Sequence, residues 1–578
     1  MTRHRLSGVV MTHPKRRRAA ERTAEAAPPG ALRVVMDPDP TGTPSVLRTA
    51  LAAWESIEEG ATHQLVVQDD MVLSETFFAR VRLAVDAMPD AALALFALWD
   101  SRNGAAVRFG ALTGARWVGA VNEYFPCVAI VLPRAVAEGF VGYGRARLGG
   151  WPDDILMHRY LKEEGVPRYV SVPSLAEHED RGSISGNAFR GPRRSVCFLP
   201  GDRPGDEERR LTGLRVLPFF KHGVARCAVR VPGPGPERWL HLDAEQHLRG
   251  LGLPEALLAP PRPGGAAPDV RGTWLTALAM GHEAARLAPG TALRPEAAAE
   301  ALATIGPGGI SDSSTEERIA ARRDALAAVA RRAFDAGREA AAAPVRRRAA
   351  APAPGPGLVV RGGASPLGEH LARRLADLTA GDAAPDAVVD LRGLREGAPE
   401  RALTVTPGGV GRPYTLRVGE VYGPGCSRHT PIGRMVWDAL RSRPVTVPGD
   451  PEREEFPVNP VNPVNRVNPV YPVYVDDLAD AVLAVLRERP AAHVLTVAGE
   501  KPTTLGALAR AVCSAVRPVP VREDPAAATG KSAGGPCPGP GFADGPRPPG
   551  WAPATDERKG LHAFAQWLAY EGVLLTAE

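Results

Sequence analysis

Two adjacent carboxylates, Asp69 and Asp70, close the segment HQLVVQDD. A second pair, Asp153 and Asp154, sits in GGWPDDILMHRYL. Paired acids at the end of a strand supply hard oxygen ligands that can hold Mg²⁺ or Mn²⁺ against a departing diphosphate. Asp is also common in ordinary turns, so the pair alone does not decide between a metal site and a turn. Asp153 reads either as a general base that takes a proton from a hydroxyl or as a helix N-cap. The segment SLAEHED adds His178, a third metal ligand or a surface histidine.

Strand and helix signals alternate around these acids. Ser7–Met11, Leu32–Met36 and Gln64–Gln68 are short apolar runs, and Arg16–Ala27 and Ser45–Glu55 have helical spacing. Such alternation predicts an α/β fold with a largely parallel sheet covered by helices on both faces. Ligands of such sheets sit beyond the carboxyl ends of the strands, where Asp37, Asp39, Asp69 and Asp70 fall.

With THP after the first strand, QDD after the third, WPDD before a helix and the later EH, residues 7 to about 198 resemble glycosyltransferases of the GT-A fold. The resemblance implies a nucleotide-sugar donor and an unidentified acceptor. It puts Asp69 and Asp70 at the metal motif, makes Asp153 or Asp154 the catalytic base, and sets Asp37 and Asp39 near the nucleotide. The chain has QDD where the family has a literal DxD, and Gln68 is a poorer metal ligand than Asp.

Farther on, LVVRGGASPLGEHLARRL reads as strand, Gly-rich turn and helix, the context in which backbone N–H groups cradle a pyrophosphate. Gly362, Ser365 and Gly368 take the key positions, and the Ser side chain would crowd a phosphate at the middle one. Asp390, in DAVVDLRG, either ends the second strand and holds a ribose or belongs to a later strand moved up by deletion. With LRVGEVYGPG, VYVDDLADAVLAVL and PGWAPATDERKGLHAFAQWL, residues 357–571 look like a shortened member of the extended short-chain dehydrogenase/reductase family, the NAD-dependent nucleotide-sugar epimerases and dehydratases. That resemblance implies a truncated Rossmann-like domain and an NAD(P) cofactor. The family's Tyr-x-x-x-Lys pair is missing: none of the nine tyrosines has a lysine four residues later. Redox catalysis is therefore not expected.

The expected organisation is a GT-A-like domain over 1–200, a helix-rich region of unknown role over 201–348, a Pro/Ala/Gly linker at 349–357 and the epimerase-like domain over 358–578. Within the second of these, Trp239–Leu242 reads as a strand, and Thr273–Leu287 and Thr315–Ala342 as helices. Pro457–Tyr471 repeats Val-Asn-Pro and reads as an extended loop insertion. With 70 basic and 65 acidic residues among 578, the charge balance gives no sign of nucleic-acid binding. The runs Lys15–Arg18 and Arg346–Arg348 read as solvated face or linker. Six scattered cysteines read as buried thiols of a reducing compartment. No apolar run is long enough for a membrane span or signal peptide, so the expected location is the cytoplasm. The leading expectation is metal-dependent sugar transfer. An NAD(P)-binding oxidoreductase or epimerase and a non-catalytic scaffold are the alternatives.

Overall fold

The structure is a computed structural model that describes residues 4–42, 45–148, 151–179, 191–231, 237, 239–260, 267–287, 294–342, 358–362, 365–379, 386–394, 401–408, 411–448, 469–524, 542 and 544–571. The linker at 349–357, most of the Val-Asn-Pro repeat and Cys537 lie outside them. The chain divides into two compact units, Met1–Val345 and Arg346–Glu578.

The first unit opens with β1 (Leu6–Thr12), α1 (Arg17–Glu25), β2 (Arg33–Met36), α2 (Val46–Glu55), β3 (His63–Gln68), β4 (Met71–Leu73), α3 (Phe77–Ala87), β5 (Ala92–Ala94) and α4 (Arg102–Thr113). It continues through β6 (Trp117–Gly119), β7 (Ala129–Pro133), α5 (Arg134–Arg145), α6 (Asp153–Glu163), β8 (Arg168–Ser171), β9 (Ala176–His178) and β10 (Arg210–Leu211). Eight strands form one sheet in the order β10-β6-β8-β5-β7-β3-β1-β2. β1 runs parallel to both β2 and β3, so these three carboxyl ends share one edge. β7 lies antiparallel to β3 and to β5, making the sheet mixed where the alternating pattern predicted a largely parallel one. Its run AIVLP is buried on both faces, and an apolar run of that kind carries no sign of strand direction.

Alternation along β1 and β3 sorts their side chains between two helical layers. Val10, Leu65 and Val67 pack with Ala20 of α1 and with Phe77 and Val81 of α3. Met11 and Val66 line the opposite face with Trp54 of α2, Phe140 of α5 and Met157 of α6. β4 and β9 form a separate antiparallel pair in which Met71 faces His178.

After the sheet come β11 (Val216–Lys221), β12 (Val224–Arg230) and β13 (Trp239–Asp243), an antiparallel three-stranded sheet. The helices α7 (Ala244–Gly250), α8 (Glu255–Leu258), α9 (Pro268–Leu287), α10 (Pro295–Ala303), α11 (Ile305–Ile310) and α12 (Glu316–Ala342) follow. α9 and α12 approach closely because glycines face backbone. A Cβ at Gly281 would run into the Phe334 carbonyl, and one at Gly337 into that of Leu278.

The second unit contains β14 (Val359–Arg361), α13 (Pro366–Thr379), β15 (Ala387–Asp390), β16 (Ala402–Pro407), β17 (Tyr414–Val418), β18 (Glu420–Tyr422) and α14 (Pro431–Leu440). Then come β19 (Val445–Val447), β20 (Pro472–Tyr474), α15 (Val475–Glu488), β21 (Val494–Val497), α16 (Leu505–Ala515), β22 (Val521–Glu523) and α17 (Glu557–Tyr570). Five strands run in the order β14-β15-β16-β17-β21. β14 and β15 are parallel, as are β17 and β21, while β16 is antiparallel to both of its neighbours. Val389, Val405 and Leu416 of this sheet share a core with Leu371 of α13, Leu478 and Val482 of α15 and Phe564 of α17. No described helix of either unit is long and apolar enough to cross a membrane.

Candidate functional site

Thr12 ends β1, and Asp69 and Asp70 follow β3, at the shared edge of the parallel strands. After Thr12 a 3₁₀ turn, Pro14–Arg16, begins with Pro14 at its first positions and the His13 side chain accepting from Lys15 N. The turn carries Arg16 back over the end of β3. One guanidinium nitrogen, Nη1, donates to Asp69 Oδ1 at 3.2 Å and to Asp70 Oδ2 at 3.0 Å. The Thr12 hydroxyl donates to the other Asp69 oxygen. The register of β9 against β4 brings in His178, whose Nε2 lies 3.2 Å from Asp70 Oδ2. Arg193 Nη2 is 3.0 Å from that same Nε2. A ring nitrogen cannot donate to Asp70 and accept from Arg193 at once, so the two contacts compete.

Asp69, Asp70 and His178 are thus brought together, all buried. His178 is not the surface histidine that was one of its two readings. Burial raises the Asp69 carboxyl above its ordinary pKa, the Asp70 charge adding to it against the Thr12 and Arg16 bonds. Burial acts in the same direction on Asp70, but His178, Arg16 and Arg193 together outweigh it and hold Asp70 below the carboxylate range. Two carboxylates and an imidazole are a reasonable donor set for a hard divalent ion. Asp70 Oδ1 and His178 Nδ1 are buried without hydrogen-bond partners among the described residues. Even so, the arrangement does not fit such an ion. Both Asp69 oxygens are taken, and the Arg16 guanidinium bridges the pair. The expected Mg²⁺ or Mn²⁺ seat is filled by an arginine.

That arginine belongs to the run Lys15–Arg18, expected on a solvated face or in a linker; its side chain is only 16% exposed. Arg16 and Arg193 escaped the sequence reading, and Thr12 entered it only as the first residue of THP. The available signal was a Thr-His-Pro end to a strand with a basic residue two positions on.

Asp37 follows β2 and is held by Arg48 of α2, with Nε to Oδ1 at 2.8 Å and Nη2 to Oδ2 at 2.8 Å. The Arg48 bond is the chief reason the Asp37 carboxyl falls below its usual pKa, outweighing the opposing effect of burial. Asp39 turns outward, its Oδ1 accepting from Gly42 N at 3.1 Å, while its carbonyl accepts from Arg48 at 2.6 Å. Both oxygens of Asp37 are therefore spent on shaping the loop after β2.

Asp153 and Asp154 open α6, but the N-cap is Pro152 and there is no side-chain cap bond, so the capping reading of Asp153 fails. Asp153 borders a cavity of about 10 Å³ with Met11, Trp54, Val66, Cys127 and Phe140. That space suits one water molecule. Burial first, and the Asp154 charge second, push the Asp153 carboxyl up to about 7. Met11 immediately precedes Thr12, so Asp153 lies at the same end of β1 as the acid pair, over the opposite face of the sheet. Asp154 Oδ1 accepts from the Ile155 N–H at 2.8 Å, and the Asp154 carbonyl accepts from Phe125 N at 3.1 Å.

In the second unit, Gly362 after β14 has φ +82, a left-handed conformation natural to glycine. Ser365 caps α13, its hydroxyl accepting from Gly368 N at 3.1 Å. That bond occupies a helix N–H that a phosphate would otherwise use. Asp390 ends β15, the parallel neighbour of β14. Its Oδ1 accepts from Arg392 Nε at 2.9 Å, and this pairing lowers its carboxyl to about 2. Of the described residues here, Gly362 has the left-handed backbone, while the Ser365 hydroxyl and the Asp390 carboxylate are satisfied internally. Tyr422 is buried against Tyr474, and burial raises its hydroxyl, the reverse of what a catalytic phenolate requires.

No protein-family model matches the chain, and no curated protein matches it. Several solved structures overlap it in part. A Bacillus anthracis dTDP-glucose 4,6-dehydratase in complex with NAD is 16% identical over 27% of this chain and 44% of its own, with a TM-score of 0.19. A Thermus thermophilus UDP-glucose 4-epimerase in complex with NAD is 22% identical over 27% of this chain and 46% of its own, at TM-score 0.20. An epimerase from Methanothermobacter thermautotrophicus is 15% identical over 36% of this chain and 49% of its own, at TM-score 0.22. The chain spans less than half the length of each of these structures, and what it is similar to in part are NAD-dependent epimerases and dehydratases.

Proposed function

We propose that residues 1–200, within the unit Met1–Val345, form a glycosyltransferase domain of the GT-A type, taking a nucleotide-sugar donor beyond the carboxyl ends of β1, β2 and β3. The observation that carries this reading is the cluster Thr12, Arg16, Asp69, Asp70 and His178. It is a hydrogen-bonded set of buried and partly buried polar groups, two carboxylates and a guanidinium among them, at the edge where open α/β sheets take their ligands. In the reaction the bond between the sugar's anomeric carbon and the donor phosphate oxygen breaks as an acceptor hydroxyl attacks. Asp153 receives the hydroxyl proton. A carboxyl titrating near neutrality is matched to that task. The test is donor turnover by Asp69→Asn and Asp70→Asn variants, each expected to fall by about 10²-fold or more, as loss of preorganised charge does. Turnover equal to the unsubstituted chain would refute the reading.

A second reading, dinucleotide binding by residues 358–571, draws on the left-handed Gly362 between β14 and α13 and on Asp390 at the end of the adjacent parallel strand. Without a Tyr-x-x-x-Lys pair it extends to binding and not to hydride transfer. Titration with NAD⁺ decides it: saturable binding supports it, and none at millimolar cofactor rejects it.

A further inference from the structure

The acid pair at the end of β3 is not an open anionic site. Asp70 is 6% exposed and His178 2%, and Asp70 Oδ1 and His178 Nδ1 are buried without hydrogen-bond partners among the described residues. Two adjacent buried carboxylates need a counter-charge, and Arg16 Nη1 supplies it from 3.0 and 3.2 Å. A divalent ion would have to stand about 2.1 Å from those oxygens, in the space the guanidinium nitrogen now fills. Arg16 is not there by accident of rotamer. The Pro14–Arg16 turn, capped by His13, fixes its backbone, and Thr12, four residues earlier, holds the other oxygen of Asp69.

The acids use only one corner of the guanidinium. Among the described residues, Nε and Nη2 of Arg16 make no hydrogen bond, and the side chain remains 16% exposed. A planar fork anchored at one nitrogen, with its other donors turned outward, is suited to phosphate oxygens.

We propose that Arg16 is the built-in cation of this site: the acid pair orients its guanidinium, which meets the diphosphate of the donor, so the site works without a bound divalent metal. The inference deepens the transferase reading and rests on it for the identity of the diphosphate.

Its test uses the full chain, with Mn²⁺ alone and inorganic pyrophosphate as probes. Free Mn²⁺ is followed by electron paramagnetic resonance during titration. The unsubstituted protein takes up no Mn²⁺ at the acid pair. Arg16→Gln gains about one ion per chain, because two carboxylates and an imidazole are then released to a metal, and adding Asp70→Asn removes that gain. Stoichiometric Mn²⁺ on the unsubstituted protein that Asp70→Asn abolishes would overturn the inference, as would an Arg16→Gln variant that gains none. Should Arg16→Gln fail to fold, pyrophosphate binding to the unsubstituted chain decides: affinity unchanged by EDTA supports the inference, and loss on chelation overturns it. These readouts need no sugar turnover. Turnover strictly dependent on Mn²⁺ would therefore sink the inference and leave the transferase reading standing, whereas metal-free pyrophosphate binding by a protein with no turnover would do the reverse.

Discussion

Replacing Glu207 by Ala should be among the most damaging single substitutions in the first unit. Its Oε1 accepts from Arg80 Nε at 2.8 Å and from Arg116 Nη2 at 3.2 Å, and its Oε2 accepts from Arg80 Nη2 at 3.1 Å and Trp117 Nε1 at 2.8 Å. Asp202 completes the cluster, its Oδ2 accepting from Arg80 Nη1 at 3.2 Å and Arg116 Nη1 at 2.7 Å, and it also pairs with Arg294. The Arg80 side chain is fully buried, and those of Arg116 and Glu207 are 4% and 2% exposed. Without Glu207, three guanidinium groups would face the single carboxylate of Asp202 in a nearly dry interior. Breaking one side of a buried ion pair costs about 3–5 kcal/mol, because the remaining charges stay buried. Glu207→Gln keeps the shape and part of the hydrogen bonding, so its cost should be about 1–3 kcal/mol. Urea unfolding followed by tryptophan fluorescence measures both. The chain has two units, so two transitions are expected, and only that of the first unit should move. A Glu207→Ala loss under about 1 kcal/mol would refute the reasoning, since it would mean the buried charges find water or other partners.

The remaining predictions concern Asp153 and Ser365. The folded-state pKa of Asp153, about 7, lies above the unfolded value of about 3.9. Between those values the folded chain holds the proton more tightly, so stability falls as pH rises through the window, and Asp153→Asn should flatten that slope in thermal melts at pH 4 to 8. As a base Asp153 works only when ionised, so turnover should rise with pH through about 7 and drop by about 10²–10⁴-fold in Asp153→Asn; a flat profile would count against the role. Ser365→Ala removes the cap on Gly368 N and should cost the second unit about 1 kcal/mol in urea unfolding, with the first unit's transition unmoved.

The central strands were legible because β1, β2 and β3 each contain a short apolar run between helical stretches, and the strand-end acids follow from them. The order of the later strands was not. β5, β6 and β9 have three residues each, too short for a periodic signal, and β7 carries no mark of its antiparallel direction. In the region after residue 200, Trp239–Asp243 was readable, but the hairpin partners Val216–Lys221 and Val224–Arg230 were not recognised. Asp69, Asp70 and His178 do meet, yet the residue that sets their chemistry is Arg16. A run of four basic residues does not disclose which one turns inward. That is decided by the backbone direction that Pro14 imposes. The two readings of Asp390 are narrowed in the same way: its strand pairs directly beside β14, but Arg392 already holds its carboxylate.

Ligand-linked stabilisation of the full chain by nucleotide sugars, followed with and without Asp69→Asn and Asp70→Asn, addresses the transferase reading most directly. A donor at 100 times its dissociation constant should raise stability by about 2.7 kcal/mol. The expected result is an upward shift of the first unit's transition that both substitutions abolish. A shift confined to the second unit, or one that survives both substitutions, would contradict it.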